Sequence, residues 1–280
     1  MTTPVHLLLF TIAVSTSLAR GNEPDDFLII AHRGAAGYAP ENTLAAFKKA
    51  IEIGANVLET DIRQTRDGHL VAMHDASVDR TTDGKGDVGE LTLEEVKRLD
   101  AGSWFSEAFG NERVPTLEEI ARVLNDTTRL IIEIKGDSTE YPGIEERVVD
   151  QVMKLNIGNR VVLKSFDAEV LARLRKLAPD IPQLFVYALR VPWIDLVIGT
   201  GLSRLDVFEL PVQYLQPHAF FVTESFTRSA HEQGYRVIAW DVHDERRMSE
   251  MLDLGVDGIE TDFPDLLKEV VTSRQIQLQE

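Results

Sequence analysis

The fold class this sequence predicts is α/β, a (β/α)8 or TIM barrel with a short insertion after its second strand. Two observations carry the prediction: short β-branched runs alternate with helical segments, and the runs number eight. A third narrows it. No glycine-rich dinucleotide fingerprint follows the first run, as it would in an open, doubly wound sheet.

The candidate strands span residues 27–31, 56–62, 129–134, 160–163, 183–187, 206–210, 236–241 and 256–260. Between them apolar residues fall at helical spacing, as in Leu44, Phe47 and Ile51 or Val170, Leu171, Leu174 and Leu177, which gives each helix one face for the sheet. The fifth and sixth units carry the weakest pattern. After the second strand come an apolar piece at 70–73, a polar stretch at 75–90, and helices around 92–99 and 116–124. A long βα loop lies at the C-terminal mouth of a barrel, so this insertion is expected to act as a partial lid or substrate wall.

The chain divides into a signal peptide over residues 1–19 and one barrel domain over 20–280. The first 19 residues hold no charged side chain, carry an apolar run at 5–14 and close on Ser17-Leu18-Ala19, small residues of the kind a signal peptidase recognises. A secreted or periplasmic location follows. The competing reading is a short anchor or unstructured tail, since the basic start of a standard leader is missing. The apolar run is too short to span a bilayer, so no stable membrane insertion is expected after cleavage.

With 44% hydrophobic and 27% charged residues, the remainder describes an ordinary soluble core. The net charge of −17 supplies no field for nucleic acid or an anionic membrane. An anionic substrate must therefore be held by a local cation or a few Arg and Lys. The absence of cysteine excludes disulfides, thiolate zinc and a cysteine nucleophile. Asp79, Thr81, Asp83, Gly84 and Glu90 nearly fit a calcium loop, but Thr81 replaces a ligand and no helix pair brackets them. Neither a phosphate-binding P-loop nor a Gly-x-Ser-x-Gly elbow is present. Oligomeric state is not legible.

The chemistry concentrates at strand ends. In Glu59-Thr60-Asp61 strand alternation turns both acids to one face, about 7 Å apart, and Glu133-Ile134-Lys135 repeats the arrangement on the next barrel strand. Buried carboxylates are costly unless paired or bound to metal. Glu59, Asp61 and Glu133 suit a hard divalent cation, Ca2+ or Mg2+, better than zinc. The competing reading has Lys135 and Arg63 neutralise them. His32 ends the first strand, and His74 closes the apolar piece of the insertion. Imidazoles titrating near neutrality can give and take the protons that phosphodiester cleavage moves. Arg33 and Lys135 can grip phosphate oxygens. His69, His218, His231 and His243 have no such setting and read as surface or packing residues.

Ordered along the chain stand His32-Arg33-Gly34, Pro40-Glu41-Asn42-Thr43, Glu59-Thr60-Asp61, His74-Asp75, Arg80-Thr81-Thr82-Asp83-Gly84, Pro115-Thr116-Leu117-Glu118-Glu119, Glu133-Ile134-Lys135, Ser165-Phe166, Ala239-Trp240, and Gly255 through Pro264. This series resembles the signature of glycerophosphodiester phosphodiesterases, relatives of the PLC-like phosphodiesterase barrels, and covers nearly the whole mature chain. The resemblance implies a TIM barrel with His32 and His74 as acid and base and a divalent metal on Glu59, Asp61 and Glu133. It implies Arg33, Glu41, Lys135 and Trp240 near the substrate. The substrate would be a small glycerophosphodiester of lipid and glycerol metabolism. Lys164 before Ser165 and Asp241 after Trp240 depart from the family's usual residues, and neither is expected to touch the catalytic set. Residues 189–216 match only loosely.

Three functions are weighed. One is hydrolysis of glycerophosphodiesters to glycerol 3-phosphate and an alcohol. The second is a lysophospholipase D with an acyl groove built from Trp193, Phe220, Phe221 and Trp240. The third is a barrel that binds phosphodiesters without turnover.

Overall fold

Strands buried along almost their whole length close into a barrel in the computed structural model, which describes residues 27–187 and 207–279. The expected leader and Trp193 lie outside the described residues. In chain order the strands are β1 (Leu28–Ala31), β2 (Val57–Gln64), β3 (Leu70–Ala72), β4 (Arg129–Ile134), β5 (Val161–Ser165), β6 (Gln183–Tyr187), β7 (Tyr214–Pro217), β8 (Arg236–Trp240) and β9 (Gly258–Thr261). Parallel ladders run from β1 through β2, β4, β5, β6, β7, β8 and β9 and back to β1, closing eight strands. β3 is the extra strand, antiparallel to β2.

The helices are α1 (Leu44–Ile53), α2 (Leu93–Arg98), α3 (Leu117–Ala121), α4 (Ile144–Lys154), α5 (Ala168–Leu177), α6 (Glu224–Glu232), α7 (Glu245–Asp253) and α8 (Pro264–Gln279). Phe47 on α1, Val148 on α4 and Leu174 on α5 are fully buried in the core cluster that packs against the outer faces of the strands. The helical spacing read from the sequence is thus the spacing of a buried stripe.

One strand is displaced from its expected position. Residues 206–210 were expected to be the sixth strand; Asp206 lies outside the described residues, and Val207–Glu209 forms a 3-10 turn. The strand is instead Tyr214–Pro217. A short apolar run does not by itself specify a strand, and Pro211, lacking an N–H, follows directly.

Period two sorts the barrel interior. Leu28, Val57, Ile131, Val162, Leu184, Tyr214 and Ile238 belong to a buried apolar cluster at one end of the strands. Two residues further along, on the same face, come Glu59, Glu133, Lys164, Gln216 and Trp240. The axis therefore changes from apolar to ionic toward the C-terminal ends. Gly258, on β9, is tight here: a Cβ would sit 2.6 Å from the Leu28 Cβ.

The insertion has its own small core of Val71, Met73, Val78, Val88, Val96, Ala101 and Val114. Its acids hold turns, with Asp79 accepting from the Gly86 N–H and Asp83 from the Asp100 N–H.

Candidate active site

β2 and β4 pair with Asp61 opposite Glu133, and β4 and β5 with Glu133 opposite Lys164. This register gathers Glu59, Asp61 and Glu133 so that each offers a carboxylate oxygen within 4.8 Å of the other two. All three are buried. The Lys135 ammonium lies 3.0 Å from Asp61 Oδ1 and also pairs with Glu133, while Lys164 Nζ lies 3.2 Å from both Glu59 Oε1 and Glu133 Oε2. Burial opposes ionisation of Asp61 and Glu133, but Lys135 and Arg33 hold Asp61 low, and Lys135 and Lys164 hold Glu133 low.

His32 follows β1, its backbone N–H donating to Thr261 O. Its Nδ1 is 2.8 Å from Asp262 Oδ1, and its Nε2 lies 4.0 Å from Glu260 Oε1. Burial and Arg33 disfavour a charged ring, yet the carboxylates of Asp262, Glu260 and Glu59 outweigh them and push His32 up to about 9. His74 is the opposite case. Burial, with Lys135 and Arg33 beside it, lowers its pKa against the pull of Asp61 and Asp75. Asp75 Oδ1 holds its Nδ1 at 2.7 Å, which leaves Nε2 as the nitrogen for substrate.

Arg33 stands in a turn with φ of 52°, followed by Gly34 with φ of 84°. A side chain on Gly34 would meet Ala46 at 2.7 Å, so only glycine fits this close return to α1. The turn aims the Arg33 N–H at Glu59 Oε2, 3.0 Å away, and its guanidinium at Glu41 (2.8 Å) and Asp61 (3.3 Å). Glu41 also accepts two bonds from Arg80, at 2.7 and 2.9 Å, and Arg80 Nε binds Asp75 at 2.6 Å.

A cavity of about 620 Å³ opens here, lined among others by His32, Arg33, His74, Lys135, Phe166 and Trp240. Trp240 is fixed by edge contacts with Phe166 and His218. Glu41 does not line the cavity; it grips the arginines from behind. The expectation that the insertion supplies a wall is corrected too. None of residues 75–90 lines the cavity, and the loop after β4, with Asp137, Thr139 and Glu140, does so instead. The insertion folds over its own apolar core and reaches the site through Asp75 and Arg80.

Other expectations also change. Arg63 does not neutralise the acid cluster; it donates to the His74 carbonyl and the Tyr141 hydroxyl and pairs with Glu140. Lys164, expected to stand clear of the catalytic set, is buried within it, because strand alternation turns it inward beside Glu133. Asp241 pairs with His243. His243, read as a surface or packing residue, lies against Asp262, whose N–H donates to its Nδ1 at 3.3 Å. Glu260 and Asp262 were quoted in a motif without a role. The signal that finds them is parity: both continue the inward face of β9 beyond Gly258.

The donor set can be tested for a divalent ion. Three hard carboxylate oxygens match Ca2+ or Mg2+. The three carboxylates are buried with an oxygen of each within 4.8 Å of the others, and carboxylates removed from water and crowded together are costly unless paired or bound to a cation. The residues fit a metal.

The chain matches the glycerophosphoryl diester phosphodiesterase family over residues 32–266. It is 40% identical over 247 residues to a glycerophosphodiester phosphodiesterase of Caldanaerobacter subterraneus subsp. tengcongensis, covering 87% of this chain and 97% of that protein. The crystal structure of a glycerophosphodiester phosphodiesterase from Agrobacterium tumefaciens is similar, with TM-score 0.73 and 27% identity over 86% of this chain and 98% of its own. An Oleispira antarctica phosphodiesterase solved with the product sn-glycerol-3-phosphate is similar with TM-score 0.74 and 29% identity, over 87% of this chain and 96% of its own. The chain belongs to the glycerophosphoryl diester phosphodiesterase family and is an enzyme of that class, a phosphoric diester hydrolase.

Proposed function

We propose that the enzyme cleaves glycerophosphodiesters to glycerol 3-phosphate and an alcohol, with His74 as general base and His32 as general acid. The observation that carries this is the placement of two histidines on one cavity, His32 2.8 Å from Asp262 with Glu260 beside it, which favours the cation, and His74 buried beside Lys135 and Arg33, which favours the neutral ring. Divergent environments of this kind separate acid from base.

Neutral His74 Nε2 accepts a proton from the attacking water, or from the neighbouring glycerol hydroxyl, whose cyclic phosphate water then opens with the two histidines in reversed roles; Asp75 stabilises the imidazolium that results. Cationic His32 gives its proton to the departing alkoxide. Arg33 and Lys135 hold the non-bridging oxygens, and Trp240 closes the side of the cavity against solvent. Glu41 keeps Arg33 aimed. Glu59, Asp61 and Glu133 would hold a Ca2+ or Mg2+ ion, whose chemistry is polarisation of the phosphoryl oxygens. The uncharged leader at 1–19 supports action outside the cytoplasm. For the lysolipid alternative, Trp240 lines the cavity, whereas Phe220 and Phe221 do not.

The test separates acid from base by leaving group. His32→Ala should lose roughly 10²-fold in kcat on glycerophosphocholine yet recover most of it on glycerol 3-phosphate p-nitrophenyl ester, whose leaving group needs no proton. His74→Ala should stay impaired on both. Rescue of His74→Ala instead, or of neither, would overturn the assignment.

A further inference from the structure

The buried cation at Lys164 has no part in the mechanism above, and it occupies the centre of the acid cluster. Its side chain is 3% exposed, and its Nζ lies 3.2 Å from Glu59 Oε1 and 3.2 Å from Glu133 Oε2. It therefore touches two of the three proposed metal ligands. On its other side the ammonium lies 3.1 and 3.0 Å from the two oxygens of Glu260, one of which also accepts from Gln216 Nε2 at 2.9 Å. Both residues sit inside the barrel wall, on β5 and β9, so neither swings away as a loop residue would.

We propose that Lys164 is an internal cation that shares Glu59 and Glu133 with the divalent ion and keeps that ion loosely held, with Glu260 as the counter-charge that limits the effect. The proposal rests on the reading that Glu59, Asp61 and Glu133 are the metal ligands.

An ammonium donates three N–H groups and carries one charge; here it faces three carboxylates, and all four side chains are buried. A divalent ion arriving on the same carboxylates meets a like charge that screening by water weakens little. Removing the ammonium should therefore tighten metal binding. Removing the charge of Glu260 leaves the ammonium to Glu59 and Glu133 alone and should weaken it. A lysine that merely positions the carboxylates predicts the reverse for its own removal, because freed carboxylates lose their preorganisation.

The experiment is calorimetric titration of Ca2+, and separately Mn2+, into the chelator-stripped enzyme and its Lys164→Met, Glu260→Gln and doubly substituted forms. Lys164→Met should bind at least about tenfold more tightly, near 1.4 kcal/mol, Glu260→Gln about tenfold more weakly, and the double variant should return to within about threefold of the unsubstituted enzyme. Lys164→Met leaves Glu260 buried and unpaired. If it does not fold, the double variant compared with Glu260→Gln carries the same sign and must bind more tightly. Unchanged or weakened binding on loss of Lys164 overturns the proposal alone. If the enzyme takes up neither ion, or if Glu133→Gln binds as well as the unsubstituted enzyme, the metal-ligand reading falls and the proposal falls with it.

Discussion

His32 and His74 differ in charge state because of what stands next to each. Asp262, with Glu260 and Glu59 behind it, favours the His32 imidazolium despite burial, whereas burial beside Lys135 and Arg33 keeps His74 neutral. A base must be deprotonated and an acid protonated, so the sign of the pH dependence follows. kcat/KM should rise as pH climbs through the lowered His74 value, on the acid side of ~6.5, the ordinary imidazole pKa. It should fall again as His32 loses its proton near 9. Asp262→Asn removes the carboxylate 2.8 Å from His32 Nδ1, and the alkaline limb should then move to lower pH. A pH–rate profile with that limb unmoved would show that Asp262 does not set the acid.

The insertion after β2 acts on the site as an element, through Asp75 and Arg80. Arg80 binds Glu41, which aims Arg33, and Asp75, which orients His74. Arg80 is half-exposed, so Arg80→Met should leave the melting temperature nearly unchanged while lowering kcat by roughly tenfold, as the loss of a supporting hydrogen-bond partner does elsewhere. The acid limb should shift to higher pH, because Asp75 loses its guanidinium and pulls harder on His74. Normal kcat in this variant would separate the insertion from catalysis. The same element depends on its helix caps. Thr116 Oγ1 accepts the Glu119 N–H at 3.2 Å while Glu119 Oε2 accepts the Thr116 N–H at 2.8 Å. Thr116→Ala should cost about 1 kcal/mol, read from the denaturant midpoint, with kcat unaffected. An unmoved midpoint would mean that packing on Ile120 and Leu117 already secures α3.

At the scale of the whole barrel, the ionic groups lie at the strand ends, and the loop after β4, with Asp137, Thr139 and Glu140, lines the open cavity beside them. A leaving group facing that opening makes few contacts that strengthen in the transition state. Glycerophosphocholine, glycerophosphoethanolamine and glycerophosphoglycerol should then have kcat/KM values within about two orders of magnitude of one another, and diesters lacking glycerol should be far poorer. A coupled glycerol 3-phosphate assay on one metal-saturated preparation makes the comparison. Selectivity for a single headgroup would place that group in a formed pocket instead.

By itself the sequence determined what a short window encodes. In β2 and β4, Val57-Glu59-Asp61 and Ile131-Glu133-Lys135 step from apolar to charged along one face, so alternation alone turns the acids inward. The barrel was legible because strands and helices announce themselves by local period. The tertiary structure decided what depends on register and closure. Val162-Lys164 and Gly258-Glu260 make the same inward step, but each looks like an isolated charge until parallel pairing sets Lys164 opposite Glu133 and Glu260 opposite Trp240. The place of β7 and the approach of His243 to Asp262 were hidden for the same reason. Hydrogen-bond register between strands distant in the chain leaves no periodic trace within either strand, and in a closed barrel that register decides which charges meet.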